Sequence, residues 1–179
     1  MKKHFLSLVD LVSGKTDPKT RRQFLNFIQL NKYHVQKTNS KSHLCVFFLP
    51  LHLPSRQIYL GHHKKAADWI PPGGHIEGNE QPTETVSREM IEELHHPLTN
   101  EAHILFNLTI LKISNPRLSC RTHYDFWYLI YMQDTIPFQF SKKEYYDAKW
   151  MSINHALKKT KCPIYHRTLD KVRQLLYNQ

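Results

Sequence analysis

A chain of 179 residues, 40% apolar and 22% charged, fits one globular domain with a real core and excludes wholesale disorder. Lys and Arg number 25 against 15 Asp and Glu, a formal charge of +10, so polyanions are attracted; nucleotides, RNA and phosphorylated metabolites all stay open as partners. The three cysteines, Cys45, Cys120 and Cys162, are scattered without a CxxC pair, which supports neither a disulfide framework nor a cysteine-based zinc site and points to a reducing, cytoplasmic setting.

The chain opens on MKKHFLSLVDLVSG, where Phe5, Leu8, Val9 and Val12 recur at helical spacing up to Gly14. Asp10 interrupts the apolar run and no A-x-A-like cleavage site follows, so this is not expected to be an export signal. No apolar run is long enough to span a bilayer. Asp17-Pro18 predicts a second helix, with Asp as N-cap, Pro at the first helical position and an apolar stripe of Phe24, Leu25, Phe27 and Ile28. VQKTNSKS reads as a polar linker, which makes residues 1–40 a helical N-terminal extension and 41–179 the main domain.

From His43 the pattern turns to strands. LCVFFLPL and RQIYLGHH are joined by the proline-bearing turn HLPS. HILFNLTILKI and RTHYDFWYLIYM are rich in β-branched and aromatic residues, and AKWMSI predicts a further short strand. The chain closes on a helix with Leu169, Val172, Leu175 and Leu176 at helical spacing. Strands interleaved with helices predict a mixed α/β layer structure.

The chemistry concentrates in Gly73–His96, GGHIEGNEQPTETVSREMIEELHH. Six glutamates stand there against a single cation, Arg88, so this segment sums to −5 and the remainder to +15. Gln81-Pro82 predicts a helix start, and Glu84 in the first turn suits the positive end of the helix dipole. Glu89, Glu92 and Glu93 then share one helix face, while Val86, Met90 and Leu94 form the anchoring face. Three clustered carboxylates repel one another and raise each other's pKa, a penalty that a divalent cation removes; all-oxygen ligands suit Mg²⁺ or Mn²⁺. A solvated acidic helix face is the competing reading. The upstream DWIPPGGHIEGNE, with two prolines and three glycines, favours a rigid loop that approaches a ligand closely.

This segment resembles the Nudix box, G-x5-E-x7-R-E-U-x-E-E-x-G-U, in which U is aliphatic. Gly74 precedes Glu80 by the required spacing, and Arg88, Glu89, Met90, Glu92, Glu93 and Leu94 follow in register. Trp69 and Trp150 also stand where many family members carry tryptophan, and a subgroup joins an HH-basic run and PPGGH-x-E to a His-Tyr-Asp strand, here His123-Tyr124-Asp125. The resemblance covers the chain from about residue 43 onward and departs from the pattern at one place, where His95 replaces the glycine that closes the helix. Histidine tolerates positive φ at a cost of about 1–2 kcal/mol, and Pro97 still stops the helix.

The resemblance implies a Nudix-type α/β/α sandwich with a mixed sheet. It implies hydrolysis of a nucleoside diphosphate linked to another group, with divalent metal and an activated water. Glu89, Glu92 and Glu93 become metal ligands, one of them helping to deprotonate water, and Gly73 lends its backbone carbonyl. Arg88 orients the glutamates, with Glu80 as its expected partner, and Glu144 before Trp150 is a candidate further ligand or base. Lys64 and Lys65, beside His62 and His63, are candidate phosphate contacts, with a solvated turn as the alternative. His123, Asp125 and Trp127 alternate on one strand face and are candidate substrate contacts, with a hydrogen-bonded aromatic core as the alternative. No H-E-x-x-H, Cys/His ligand spacing or P-loop pattern is read in the chain, so a zinc centre is not expected. An enzyme on free nucleotides, an RNA 5′-end pyrophosphohydrolase and an inactive Nudix-like nucleotide-binding regulator all remain open.

Overall fold

The computed structural model describes residues 1–30, 41–99, 101–114 and 119–177; all but the last two residues of the expected linker at 35–42 lie outside them. The chain forms α1 (Lys2–Leu11), α2 (Pro18–Gln29), β1 (Ser42–His52), β2 (Gln57–His63), β3 (Asp68–Ile70), β4 (Gly73–His75) and α3 (Pro82–Leu94). These are followed by β5 (His103–Lys112), β6 (Thr122–Tyr131), β7 (Tyr145–Ser152), α4 (Ile153–Lys159) and α5 (Pro163–Tyr177). The strands form one seven-stranded mixed sheet in the order β3-β2-β1-β6-β5, with β4 paired to β1 and β7 to β2. The mixed α/β class and the N-terminal helices expected from the sequence are present.

Contacts cluster into two units. The first comprises Met1–Phe47, Gly74–Val86 and Leu105–Tyr128. In it α1 and α2 pack on each other. The Asp17 carboxylate accepts from Thr20 N–H at 2.9 Å, the N-cap that the sequence calls for. The Phe5 and Phe24 rings lie against Phe126, and Phe27 stacks on Tyr124 at 4.0 Å between centroids. Tyr124 and Phe126 are two apart on β6 and therefore share a face, which is the surface the helical pair covers.

The second unit comprises Phe48–Gly73, Ser87–Ile104 and Leu129–Gln179. Here β2 pairs antiparallel with β3 (Gly61 opposite Ile70) and with β7 (Gly61 opposite Ala148). The short helix α4 packs on β2, β3, β7 and α5. Ser152 caps it, accepting from His155 N–H at 3.3 Å. Of the apolar positions read in the last helix, Leu169, Val172 and Leu176 are buried while Leu175 is 46% exposed, because it lies off the buried stripe.

Three elements were not anticipated. β3 and β4 are three residues each and flank Pro71-Pro72, too short for a period-2 pattern to register. The stretch INHALKK of α4 spans only seven residues, under two helical turns.

Asp68 starts β3 and is only 6% exposed. Its carboxylate accepts from its neighbour Trp69 N–H at 2.8 Å and from the Lys161 and Cys162 N–H groups at 2.9 Å each. One side chain thus satisfies three backbone donors and fastens the link between α4 and α5 to the sheet edge. Asp68→Ala should cost about 3 kcal/mol of unfolding free energy, because the donors are left buried and unpaired. Urea denaturation checks this; a loss below about 0.5 kcal/mol, the range of an ordinary surface substitution, would refute the assignment.

Candidate active site on the third helix

The helix that carries the glutamates is built from its N-terminus as the sequence suggests. Gln81 N–H donates to the Glu84 carboxylate at 2.7 Å, the return bond of a capping box. Glu80 accepts from Glu77 N–H at 3.1 Å and from Thr85 Oγ1 at 2.7 Å, so it ties the glycine loop to the first turn of α3. Val86, Met90 and Leu94 are 0–1% exposed and anchor the helix.

At its other end His95 adopts φ +48°, the left-handed position that the Nudix pattern fills with glycine. Its N–H reaches Ile91 O at 3.0 Å and the His96 N–H reaches Met90 O at 3.2 Å, which satisfies carbonyls of the last turn. The imidazole offsets part of the strain by pairing its Nδ1 with the Gln139 carbonyl at 2.6 Å.

Arg88 Nη1 donates to Glu89 at 2.8 Å and to Glu92 at 3.1 Å, so one guanidinium bridges two of the three clustered carboxylates. Glu92 is exposed, whereas Glu89 and Glu93 are buried. Glu93 Oε2 accepts from Gly73 N–H at 2.9 Å and from Tyr145 O–H at 2.8 Å. Burial, followed by the nearby Glu89 charge, pushes the Glu93 pKa up from 4.5 to about 8, against the pull of those two hydrogen bonds. Burial and the Glu93 charge likewise hold the Tyr145 phenol well above its ordinary range, so it acts as a donor.

Glycines make this arrangement possible. Gly73 sits at φ +151°, a region that side chains rarely adopt. A Cβ on Gly61 would run into the Tyr145 ring, so the strand beneath that ring is bare by necessity.

Glu144 lies one residue before β7. Its carboxylate meets Lys65 Nζ at 3.2 Å and His63 Nε2 at 3.5 Å. Burial lowers the His63 pKa, with the Glu144 charge opposing it, so the imidazole is uncharged at neutral pH and this contact is not an ion pair. Lys64 donates from Nζ to the Lys142 carbonyl and from its backbone N–H to Glu144 O at 2.8 Å. Lys64 and Lys65 are therefore both attached to the loop that carries Glu144.

Of the remaining sequence-derived residues, His123, Asp125 and Trp127 belong to the first unit. Asp125 and Trp127 are fully buried. Thr109 joins them, donating from Oγ1 to Asp125 at 2.8 Å and accepting from Trp127 Nε1 at 2.8 Å. Phe47 stacks on the indole at 5.2 Å. This is the environment of a hydrogen-bonded aromatic core, the alternative weighed for both residues. Burial pushes the Asp125 pKa up to about 7, with the Thr109 bond pulling the other way. His123 instead faces Cys120 and His75.

Tyr145 and Gly61 escape a sequence reading. A tyrosine in KKEYYDAKW carries no motif, and a glycine within a strand signals a close approach without naming what approaches.

No curated protein matches the chain by sequence. Solved structures do match by fold. The *E. coli* dihydroneopterin triphosphate pyrophosphohydrolase superposes with a TM-score of 0.65 at 15% identity, covering 76% of this chain and 96% of that one. A *C. elegans* Ap4A hydrolase gives 0.63 at 16% identity over 76% and 99%. The *Bacillus halodurans* mutator MutT protein gives 0.57 at 17% over 75% and 82%. The profile of the NUDIX domain matches residues 41–172, most of the chain, and the chain therefore belongs to the NUDIX family of pyrophosphohydrolases.

Proposed function

We propose that this chain is a divalent-metal-dependent hydrolase that cleaves a phosphoanhydride bond in a nucleoside diphosphate-linked substrate by water attack at phosphorus. The observation that carries this reading is Glu93: a buried carboxylate, fixed by two donors, whose proton affinity is raised partly by a second carboxylate. Such a group is poised to exchange its proton for a cation. Donor chemistry supports Mg²⁺ or Mn²⁺, since Glu89, Glu92, Glu93 and the Gly73 carbonyl offer only hard oxygen. When bound, such an ion neutralises pyrophosphate charge and makes bound water more acidic.

The chain's own residues supply the rest. Gly73 N–H and Tyr145 O–H orient Glu93, and Arg88 sets the directions of Glu89 and Glu92. Glu144 is the further proton acceptor, held by Lys65, while Lys64 and Lys65 attract substrate phosphates. The domain proper is residues 41–179, with 1–40 as an extension whose helix α2 packs on Tyr124 and Phe126. A cytoplasmic setting belongs to the same reading and accords with Cys45, Cys120 and Cys162 not being joined in disulfides. No helix among the described residues is long and apolar enough to cross a membrane.

One observation favours an RNA 5′ end over a free nucleotide. Lys149 and Lys159 lie over the Trp69 ring at 5.2 and 4.9 Å, His62 stacks on it at 5.6 Å, and Lys64 lies over Tyr146 at 5.4 Å. Folding thereby interleaves cations and rings that the linear sequence keeps apart, the combination that binds single strands. Hydrolysis of a nucleotide panel and of 5′-triphosphorylated RNA, with the salt dependence of RNA binding, separates the two substrates. Binding without turnover across the whole panel would instead mark a regulator.

Glu92→Gln or Glu93→Gln should lower metal-dependent turnover by about 10²–10⁴-fold while the circular dichroism spectrum stays native. Activity within a few-fold of wild type would refute the assignment. A second test uses stability. Between pH 4.5 and about 8 the unfolded chain has lost the Glu93 proton while the native chain retains it. Metal-free stability should therefore fall as pH rises through that window, and Glu93→Gln should remove that part of the slope. Mg²⁺ should raise the wild-type melting temperature most at the alkaline end. Identical pH slopes for wild type and variant would contradict the Glu93 environment described above.

A further inference from the structure

A second cluster of metal-ligating side chains lies wholly in the first unit and has no part in the chemistry above. Cys45 is on β1, His75 ends β4, Cys120 precedes β6 and His123 is on β6. The sheet order sets β1 between its partners β4 and β6, which brings these separate segments together. One donor atom each from Cys45, His75 and His123 falls within a mutual 4.8 Å. The Nε2 atoms of His75 and His123 are 3.1 Å apart, and Cys120 Sγ stands 2.8 Å from His123 Nε2 and 3.7 Å from His75 Nε2.

We propose that Cys45, His75, Cys120 and His123 form a structural zinc site of the Cys₂His₂ type. A tetrahedron with Zn–S of ~2.3 Å and Zn–N of ~2.0 Å has donor–donor edges of roughly 3.3–3.8 Å. The His75–His123 and Cys120–His75 separations lie close to that range. The Cys120–His123 separation opens by under about 1 Å to reach it. Two thiolates with two neutral imidazoles make a soft, charge-balanced set for Zn²⁺, unlike the all-oxygen set on α3. With four protein donors no position remains for water, so the role is structural.

The surroundings suit such a centre. Both thiols are buried, at 2% and 6% exposure. His43 stacks on His75 at 4.5 Å and 21° and fixes the plane of that ring. The expectation that no zinc centre exists is revised by this proposal. Cys120 and His123 do carry a local C-x-x-H spacing, but Cys45 and His75 join them only through strand pairing.

What the ion adds is a cross-link. It joins β1, β4 and β6 without a disulfide.

The test is metal content of the full chain, purified under reducing conditions without chelator and dialysed. We expect one tightly held zinc per chain by mass spectrometry, reduced to background in a Cys45→Ser/Cys120→Ser variant. Cobalt loading of the stripped wild-type protein should give the thiolate-to-metal charge-transfer absorption and intense visible bands of a tetrahedral sulfur site. The carboxylates of α3 cannot produce that charge transfer, so the readout is specific even if the double variant fails to fold. Zinc well below one equivalent together with no charge-transfer band would overturn the proposal and leave a thiol–imidazole hydrogen-bonded cluster. The assay needs no turnover, so its outcome is independent of the catalytic reading.

Discussion

Burying Glu93 is the constraint from which most of the second unit follows. A carboxylate taken out of water costs several kcal/mol unless fixed donors or a cation compensate. Here the donors are Gly73 N–H and Tyr145 O–H, and each imposes a condition on its own surroundings. Gly73 must hold a backbone conformation closed to side chains, and Tyr145 must lie over a strand that is bare at Gly61. The Glu93 carbonyl accepts from Ser141 N–H at 2.7 Å, which fastens the loop that leads to Glu144. Those two donors compensate only in part, because the Glu93 pKa remains far above that of a free carboxylate.

What the sequence makes legible is what its local chemistry decides. The helical periods at Phe24, Phe27 and Ile28 and at Val86, Met90 and Leu94 identify buried faces, since spacing alone places those side chains. The Asp17 cap and the Gln81–Glu84 pair work for the same reason: donor and acceptor are three residues apart. His95 is the instructive departure. A missing glycine suggests a disturbed helix end, yet the backbone still turns left-handed, because two last-turn carbonyls and the Gln139 carbonyl hold the histidine there.

What stays hidden is what only strand pairing decides. Trp127 and Asp125 alternate on a strand and look like pocket residues, but alternation reports a shared face without saying what covers it. Thr109 and Phe47, distant in sequence, supply the cover. The same holds for Lys149, Lys159 and His62 around Trp69, which come from three separate segments. Cys45, His75, Cys120 and His123 are the extreme case, with both gaps between the three ligand segments closed by topology.

Two donor chemistries in one chain raise a question of selectivity. Zn²⁺ binds most N, O and S sites more tightly than Mg²⁺ does, so affinity alone would let zinc displace the hard ion from carboxylates. The proposed thiolate–imidazole set is selective at its own position through softness and tetrahedral geometry, which favour Zn²⁺ there. The carboxylates on α3 carry the opposite bias, since they include no sulfur or imidazole among Glu89, Glu92, Glu93 and the Gly73 carbonyl. In the proposed function the separation follows from residue type, and the negative charge gathered on one helix of a basic protein suits the ion that an anionic substrate would bring with it.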